Sequence, residues 1–252
     1  MPSPRRLFAL VLGALVLAPA FIPTPGRAAI PTANQLRALE AALNSGDDAA
    51  LGALLAKGPG LNPEQVKRQR HWLREQFPDV RWALKPGPNL RGGQPSVLLT
   101  VSGTREQGGS LYRLDAEQRL SLQTDGERFN SQTIWREQSF LRSGENSPPV
   151  SLLIPDAVLT GQRYDVDVIF DDPLDGALVA GAIRPISDQE ALAMESPRLA
   201  LAALAGGGVF KVAQAPQTPG VQTWAVLLVH PKGVVTATKR VRVVADRQGI
   251  EP

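Results

Sequence analysis

Leucines recur at helical spacing in two stretches near the start of the chain, at residues 36–43 and 51–55. The polar residues 44–46 interrupt the first pattern, so we expect the first helix to end there. Gly58 and the proline that follows it are typical of a helix end, and they predict that the second helix closes at this point. The pattern therefore indicates two short helices that pack as a pair.

A third helix has the clearest start signal in the chain. Asn62 is a typical N-cap residue, Pro63 suits the first helical position, and Glu64 lies in the first turn. Pro78 ends the pattern. The apolar residues that we expect to face inward are Val66, Leu73 and Phe77.

Strand-like runs follow the helices. They lie at residues 80–84, 97–104, 111–123 and 129–141. In the third run apolar and polar side chains alternate, which predicts one buried face and one face in water. Asp125 and Gly126 are typical of a tight hairpin in which both residues have positive φ. Helices followed by an antiparallel sheet predict an α+β layer over residues 33–143.

The second half of the chain has a different texture. Ser147 and the two prolines after it resemble a linker. Short strands are predicted at residues 151–154, 163–170, 177–184, 209–213, 222–230 and 234–244. A capping box at Ser187 opens a short helix between strands, and Ser196 restarts another that Gly206 ends. This pattern predicts an all-β, immunoglobulin-like sandwich with a helical insertion over residues 147–246.

The first half resembles the nuclear transport factor two-like cone, the superfamily of ketosteroid isomerase and the polyketide cyclases. The resemblance rests on residues 44–47 between the paired helices, residues 77–80 at the end of the third helix, and the long amphipathic hairpin strands. The short hairpin that usually precedes the third helix is missing. The resemblance implies a fold, and since that fold carries enzymes, binding modules and scaffolds, it implies no single function.

Residues 1–29 have the layout of a secretory signal peptide, with Arg5 and Arg6 before an apolar run at 7–17. That run is shorter than the roughly 20 residues a membrane-spanning helix needs, so we expect cleavage and no stable span afterwards. Cuts after Ala28 or after Ala20 both fit the small-residue rule. The arginine pair also resembles a twin-arginine signal, which leaves two export routes open. The predicted location is the periplasm or extracellular space, or the thylakoid lumen of a photosynthetic source.

Removal of the predicted leader changes the charge argument. Three of the 27 basic residues lie in the first 29 positions, which leaves 24 basic and 24 acidic side chains. A neutral chain gives no electrostatic reason to bind nucleic acid. The absence of cysteine excludes disulfides and thiolate metal sites. We expect no cofactor.

The third helix carries the most basic stretch of the mature chain. Lys67, Arg70 and Arg74 share one face, which suits contact with an acidic partner or an anionic headgroup. A solvated helix face explains the same residues, since acidic residues are interleaved with them.

Hydrolase and metal chemistry find little support. His71 and His230 are the only histidines, and the chain has no Gly-x-Ser-x-Gly motif. The acidic string at residues 171–176 has ligands that suit calcium, but Pro173 occupies a ligand position of the EF-hand pattern. We interpret the string as a polar turn and predict no metal site.

Six residues of the first half are candidates for a ligand pocket. They are Trp72, Asp79, Arg81, Trp82, Tyr112 and Trp135. In sites similar to ketosteroid isomerase a carboxylate abstracts a proton while hydroxyl and acid donors hold the enolate. The acids on the strand of Tyr112 face away from its ring, so no catalytic set is visible. Core packing explains the aromatic residues without a ligand.

The sequence predicts an exported, non-enzymatic binding or assembly protein of the cell envelope, with a protein partner. Residues 234–244 are predicted to form an edge strand that presents Thr236, Thr238, Arg240 and Arg242. The alternative is a small-molecule binder, or a lyase or isomerase, that uses the pocket of the cone-like domain.

Overall fold

The computed structural model describes residues 29–144, 146–193, 197–204 and 206–250. Their contacts form two compact units. The helical unit contains residues 29–103 and 117–136, and the two-sheet unit contains residues 104–116 and the described residues from 137 onwards. The fold is rich in antiparallel strands with a few helices, as predicted. Apart from Ala29, the predicted signal peptide lies outside the described residues, and so does Ser196.

Three helices open the helical unit: α1 (Ala33–Ser45), α2 (Asp48–Leu54) and α3 (Pro63–Gln76). The predicted start of α3 is confirmed, because the side chain of Asn62 accepts hydrogen bonds from the backbone of Glu64 and Gln65. The predicted end of α2 is wrong. Its chain leaves the helix at Leu55, which is extended and forms a parallel bridge with Phe129.

Four strands follow: β1 (Arg81–Pro86), β2 (Val97–Gln107), β3 (Ser110–Thr124) and β4 (Phe129–Ser143), hydrogen-bonded in that order. β2, β3 and β4 each contribute residues to both units. The alternation predicted for β3 is confirmed by its burial pattern. The predicted hairpin is wrong at Asp125, since only Gly126 has a positive φ. The Asp125 carboxylate instead accepts hydrogen bonds from the backbone of Glu127 and Arg128, which makes the turn longer.

The outer side of β1 is occupied by α1. The side chain of Asn44 accepts from the backbone N–H of Trp82 at 3.1 Å and donates to its carbonyl at 2.8 Å. The carboxylate of Glu40 accepts from the N–H of Leu84 at 2.7 Å. Helical side chains therefore take the place of a neighbouring strand.

The start of β4 is covered by the chain between α2 and α3. The N–H of Ala56 donates to the carbonyl of Phe129, and the carbonyl of Pro59 accepts from Gln132. This close approach needs glycine, because a Cβ at Gly58 or Gly60 would lie within 2 Å of a β4 carbonyl oxygen.

The two-sheet unit adds eight strands and one helix. They are β5 (Val150–Leu153), β6 (Ala157–Leu159), β7 (Arg163–Phe170), β8 (Ala180–Ile186), α4 (Asp188–Leu192), β9 (Ala202–Ala203), β10 (Gly208–Gln214), β11 (Gly220–His230) and β12 (Gly233–Val244). The larger sheet has the order β4-β12-β11-β8-β9, with β6 also on β12, and the smaller has the order β10-β7-β5. Buried residues of both sheets, such as Val168 and Leu228, share one apolar core.

Two predictions for this unit need correction. The capping box at Ser187 does open α4, but the described residues of the next predicted helix contain the short strand β9 instead. β12 is not an edge strand, because it pairs with β11 on one side and with β4 and β6 on the other.

The polar residues predicted to line the edge lie in the middle of the sheet. Thr236, Thr238 and Arg242 are buried, and Arg240 is half-buried. The hydroxyls of Ser139 and Thr238 lie 2.6 Å apart, and Arg240 Nη1 lies 3.5 Å from Glu137 Oε2. Thr238 and Arg240 therefore have partners on the neighbouring strand β4.

Candidate protein-binding face

The predicted basic face of α3 is used inside the helical unit. Arg70 is only 1% exposed. Its guanidinium donates to the carbonyls of Ala42, Gly46 and Asp47 and pairs with the Asp48 carboxylate. These bonds fasten the turn between α1 and α2 to α3, so Arg70 is not a solvent-facing docking residue.

The other two basic residues also have partners within the chain. Arg74 Nη1 donates to the carbonyl of Asn44 at 2.9 Å, and Lys67 Nζ lies 3.0 Å from Glu64 Oε1. Nearby, His71 Nε2 lies 2.8 Å from Asp48 Oδ2. The hydrogen bond with His71 and the charge of Arg70 lower the pKa of Asp48.

The six pocket candidates do not share a unit. Tyr112 belongs to the two-sheet unit, where the guanidinium of Arg105 lies 5.3 Å from its ring. The other five belong to the helical unit. Trp82 is buried, Trp72 is half-buried, and Asp79 and Arg81 are exposed. Trp135 is half-buried, and its Nε1 donates to Ser121 Oγ at 3.2 Å.

The smaller sheet of the two-sheet unit exposes large apolar side chains. On β10, Phe210 is 63% exposed and Val212 is 56% exposed. The strand register places Asp167 opposite both Phe210 and Leu153, and places Asp165 opposite Val212. Leu153 is 56% exposed. Alternate residues of a strand share a face, so these five side chains form one surface, which we call the apolar-acidic face.

The apolar-acidic face combines three exposed apolar side chains with two carboxylates. Within the described residues, neither Asp165 nor Asp167 forms an ion pair. Exposed aromatic and aliphatic side chains grouped on one face typically mark a contact site for another protein. The described residues contain no group of three or more His, Cys, Asp and Glu side chains that could hold a metal ion.

One border of this face is an open strand edge. β7 is the only strand of the described structure that pairs with β10. The carbonyl of Gly207 accepts from the N–H of Phe170, and the N–H of Ala215 donates to the carbonyl of Gln162. Each of these two pairs lies directly opposite in the ladder, so Gly207 and Ala215 mark the positions of hydrogen-bonded pairs. Such pairs alternate along an antiparallel ladder. The backbone groups of Phe210 and Val212 therefore point away from β7.

Sequence reasoning located β10 but missed its position at the border of the smaller sheet. Its pattern has apolar residues at both parities, and only Lys211 interrupts them. Apolar residues on both faces are typical of a strand that is buried on both sides. The exposure of Phe210 could be recognised only once β10 was known to lie at the sheet border.

Comparison with known protein families matches part of the chain. A family described as Domain of unknown function (DUF8623) matches residues 145–244. No curated protein matches the chain. Among the described residues, no helix has the length and apolar character required to cross a membrane.

Proposed function

We propose that this chain is an exported, non-enzymatic protein of the cell envelope that binds a protein partner through the two-sheet unit. The observation that carries the proposal is the apolar-acidic face. Phe210, Val212 and Leu153 are exposed side by side around two carboxylates that form no ion pair in the described structure. Burial of apolar surface contributes about 25 cal/mol of favourable free energy per Å2, and a bound partner that covers this face would gain that contribution.

Site-specific photo-crosslinking in cells of the source organism tests this proposal. A photo-reactive amino acid replaces Phe210 in one variant and Leu178 in the matched control. Leu178 is 92% exposed and apolar and belongs to the same unit, but it lies outside the apolar-acidic face. We expect a discrete adduct from position 210 and none from position 178. Equal labelling from both positions, or none from position 210, contradicts the proposal.

A second variant distinguishes specific binding at the apolar-acidic face from nonspecific hydrophobic association. Phe210→Ser together with Val212→Ser removes the apolar side chains while the exposed positions keep the fold. We expect this double variant to lose the captured partner, whereas Leu178→Ser retains it. Thermal unfolding of both variants verifies that the unit is folded.

The finer fold and the location are part of the same proposal. Three helices before β1–β4 support a nuclear transport factor two-like cone, and two sheets around one core support an immunoglobulin-like sandwich. The layout of residues 1–29 supports export. Mass spectrometry of the envelope fraction should find a chain that begins at Ala29 or at Phe21, after one of the two predicted cuts. A cytoplasmic protein with an intact Met1 contradicts export.

A further inference from the structure

We propose that the partner binds by strand addition: an extended segment pairs antiparallel with the open edge of β10 and places an acidic residue opposite Lys211. This inference rests on the proposed function and specifies the partner's chemistry. Strand addition requires that backbone N–H and C=O groups on the edge of β10 are free to form hydrogen bonds. It also requires side chains that specify the sequence of the added strand and that disfavour pairing with a second copy of this chain.

The backbone requirement is met at Phe210 and Val212. Because their N–H and C=O groups point away from β7, they are available to form a ladder with a new strand. Within the described residues no side chain caps them. This differs from β1, whose outer side is occupied by Asn44 and Glu40.

The side chains of β10 supply the specificity. Phe210 and Val212 lie on the exposed face, so residues opposite them in an added strand should be apolar. Lys211 lies on the other face, and its ammonium is 5.4 Å from the ring of Trp224. Lys211 forms no ion pair in the described structure. The complementary segment therefore reads apolar, acidic, apolar.

The same lysine disfavours pairing with a second copy of this chain. A symmetric antiparallel pair of β10 strands centred on Lys211 would place two ammonium groups directly opposite each other, which is destabilising. Lysine on an exposed edge is a common device against self-association. The charge of Lys211 thus disfavours pairing of two β10 strands and favours pairing with an acidic segment.

A backbone variant tests the ladder. Val212→Pro removes an N–H that makes no bond to β7, and proline is tolerated at such edge positions. Val212→Thr keeps the N–H and is the matched control. The probe is a seven-residue peptide with blocked ends and a central Val-Glu-Val, titrated against the full chain by amide NMR. We expect Val212→Pro to weaken binding at least tenfold, and Val212→Thr to remain within threefold of the original chain.

Charge exchange tests the register. Lys211→Glu should weaken binding of the Val-Glu-Val peptide about fivefold and favour a Val-Lys-Val peptide by a similar factor. Hydrogen exchange at Phe210 and Val212 should slow when the matched peptide binds. Binding that is unaffected by Val212→Pro, or exchange that does not slow at these amides, overturns strand addition.

The outcomes also separate this inference from the proposed function. If crosslinking from position 210 persists and Val212→Pro has no effect on partner capture, the face binds its partner without strand addition. If position 210 gives no adduct, both proposals fail. A concentration-dependent dimer that Val212→Pro abolishes would identify a second copy as the occupant and overturn the acidic-segment assignment.

Discussion

The two units treat the borders of their strands differently. In the helical unit, side chains of α1 bond the backbone of β1, and the chain between α2 and α3 bonds the start of β4. In the two-sheet unit, β10 has one strand neighbour among the described residues, β7, and directs the backbone of Phe210 and Val212 away from it. Proteins usually protect strand borders because exposed ones recruit other chains. An unprotected border in a chain that protects its borders at β1 and β4 is therefore consistent with the binding role proposed above.

Exposed apolar residues follow the same division. The described residues include six large apolar side chains that are exposed, and all except Ile30 belong to the two-sheet unit. The other five are Leu153, Leu178, Leu201, Phe210 and Val212. All five lie within residues 145–244, the segment that matches a family of unknown function. In the helical unit, polar side chains such as those of Asn44 and Glu40 instead form hydrogen bonds to the backbone of β1.

The largest effect is expected from a substitution that displaces the chain between α2 and α3 from the start of β4. Gly60 has φ +70°, and an added Cβ would lie 1.8 Å from the carbonyl oxygen of Gln132. We expect Gly60→Ala to lower the free energy of unfolding by about 3–4 kcal/mol, because left-handed strain adds to displacement of backbone. Chemical denaturation measures the loss. The matched control Gly92→Ala has a similar φ in open space and should cost only about 1 kcal/mol. Equal losses would show that the cover on β4 contributes nothing.

Arg70 gives the next largest effect. Arg70→Met removes the guanidinium that donates to the carbonyls of Ala42 and Asp47 and pairs with the Asp48 carboxylate, from a side chain that is 1% exposed. We expect a loss of about 3 kcal/mol, measured by thermal and chemical unfolding. Arg68→Met, an exposed position on the same helix, should change stability by less than about 0.5 kcal/mol. A small effect at Arg70 would mean that the turn between α1 and α2 holds without the guanidinium.

The cap on β1 should contribute less. Asn44→Ala removes both bonds to Trp82, and we expect a loss of about 1–2 kcal/mol. Hydrogen exchange at the amide of Trp82 should quicken in the variant. Asn34→Ala, at an exposed position on α1, is the control and should leave that amide unchanged. Val212→Pro on the open border should cost less than Asn44→Ala, and the reverse order would contradict the comparison.

The smallest effect concerns pH in the two-sheet unit. A hydrogen bond from Arg184, followed by one from the backbone of Ser187, lowers the pKa of Glu190 to about 2 from 4.5. The ionised carboxylate therefore stabilises the fold above pH 4.5, and this contribution is lost as the pH falls through about 2. We expect a change below about 1 kcal/mol, since both side chains remain partly exposed to solvent, which screens the pair.

Glu190→Gln isolates this contribution. Unfolding of the original chain and the variant should be compared between pH 5 and pH 2. The difference between them should shrink as the pH falls. A difference that stays constant across this range would show that Arg184 does not stabilise the ionised form.

Local signals predicted local structure well. The start of α3 follows from Asn62 and Pro63, and the burial of β3 follows from its alternation, because each depends on neighbours in the chain. The end of α2 did not follow, since Leu55 leaves the helix to bridge Phe129, far away in sequence. Arg70 was misjudged for the same reason: its burial depends on carbonyls contributed by another pair of helices.

The candidate site shows the same limit. The sequence placed Asp165 and Asp167 on one face of a strand, but it gave the border position to β12 instead of β10. Which strand lies at a border depends on pairing between distant segments. Single-strand patterns contain no information about that pairing. The predicted ligand pocket and the predicted domain bounds stay predictions.

The central position of β12 has a consequence for how the chain assembles. Ser139 on β4 and Thr238 on β12 are joined although they are 99 positions apart. Closing so long a loop costs entropy before any contact is gained, and such pairings form slowly. Until β12 pairs with them, β4 and β11 each have one unpaired side. The folding chain therefore passes through a stage that is prone to misassociation. A chain truncated before residue 233 should therefore aggregate rather than yield a smaller soluble protein.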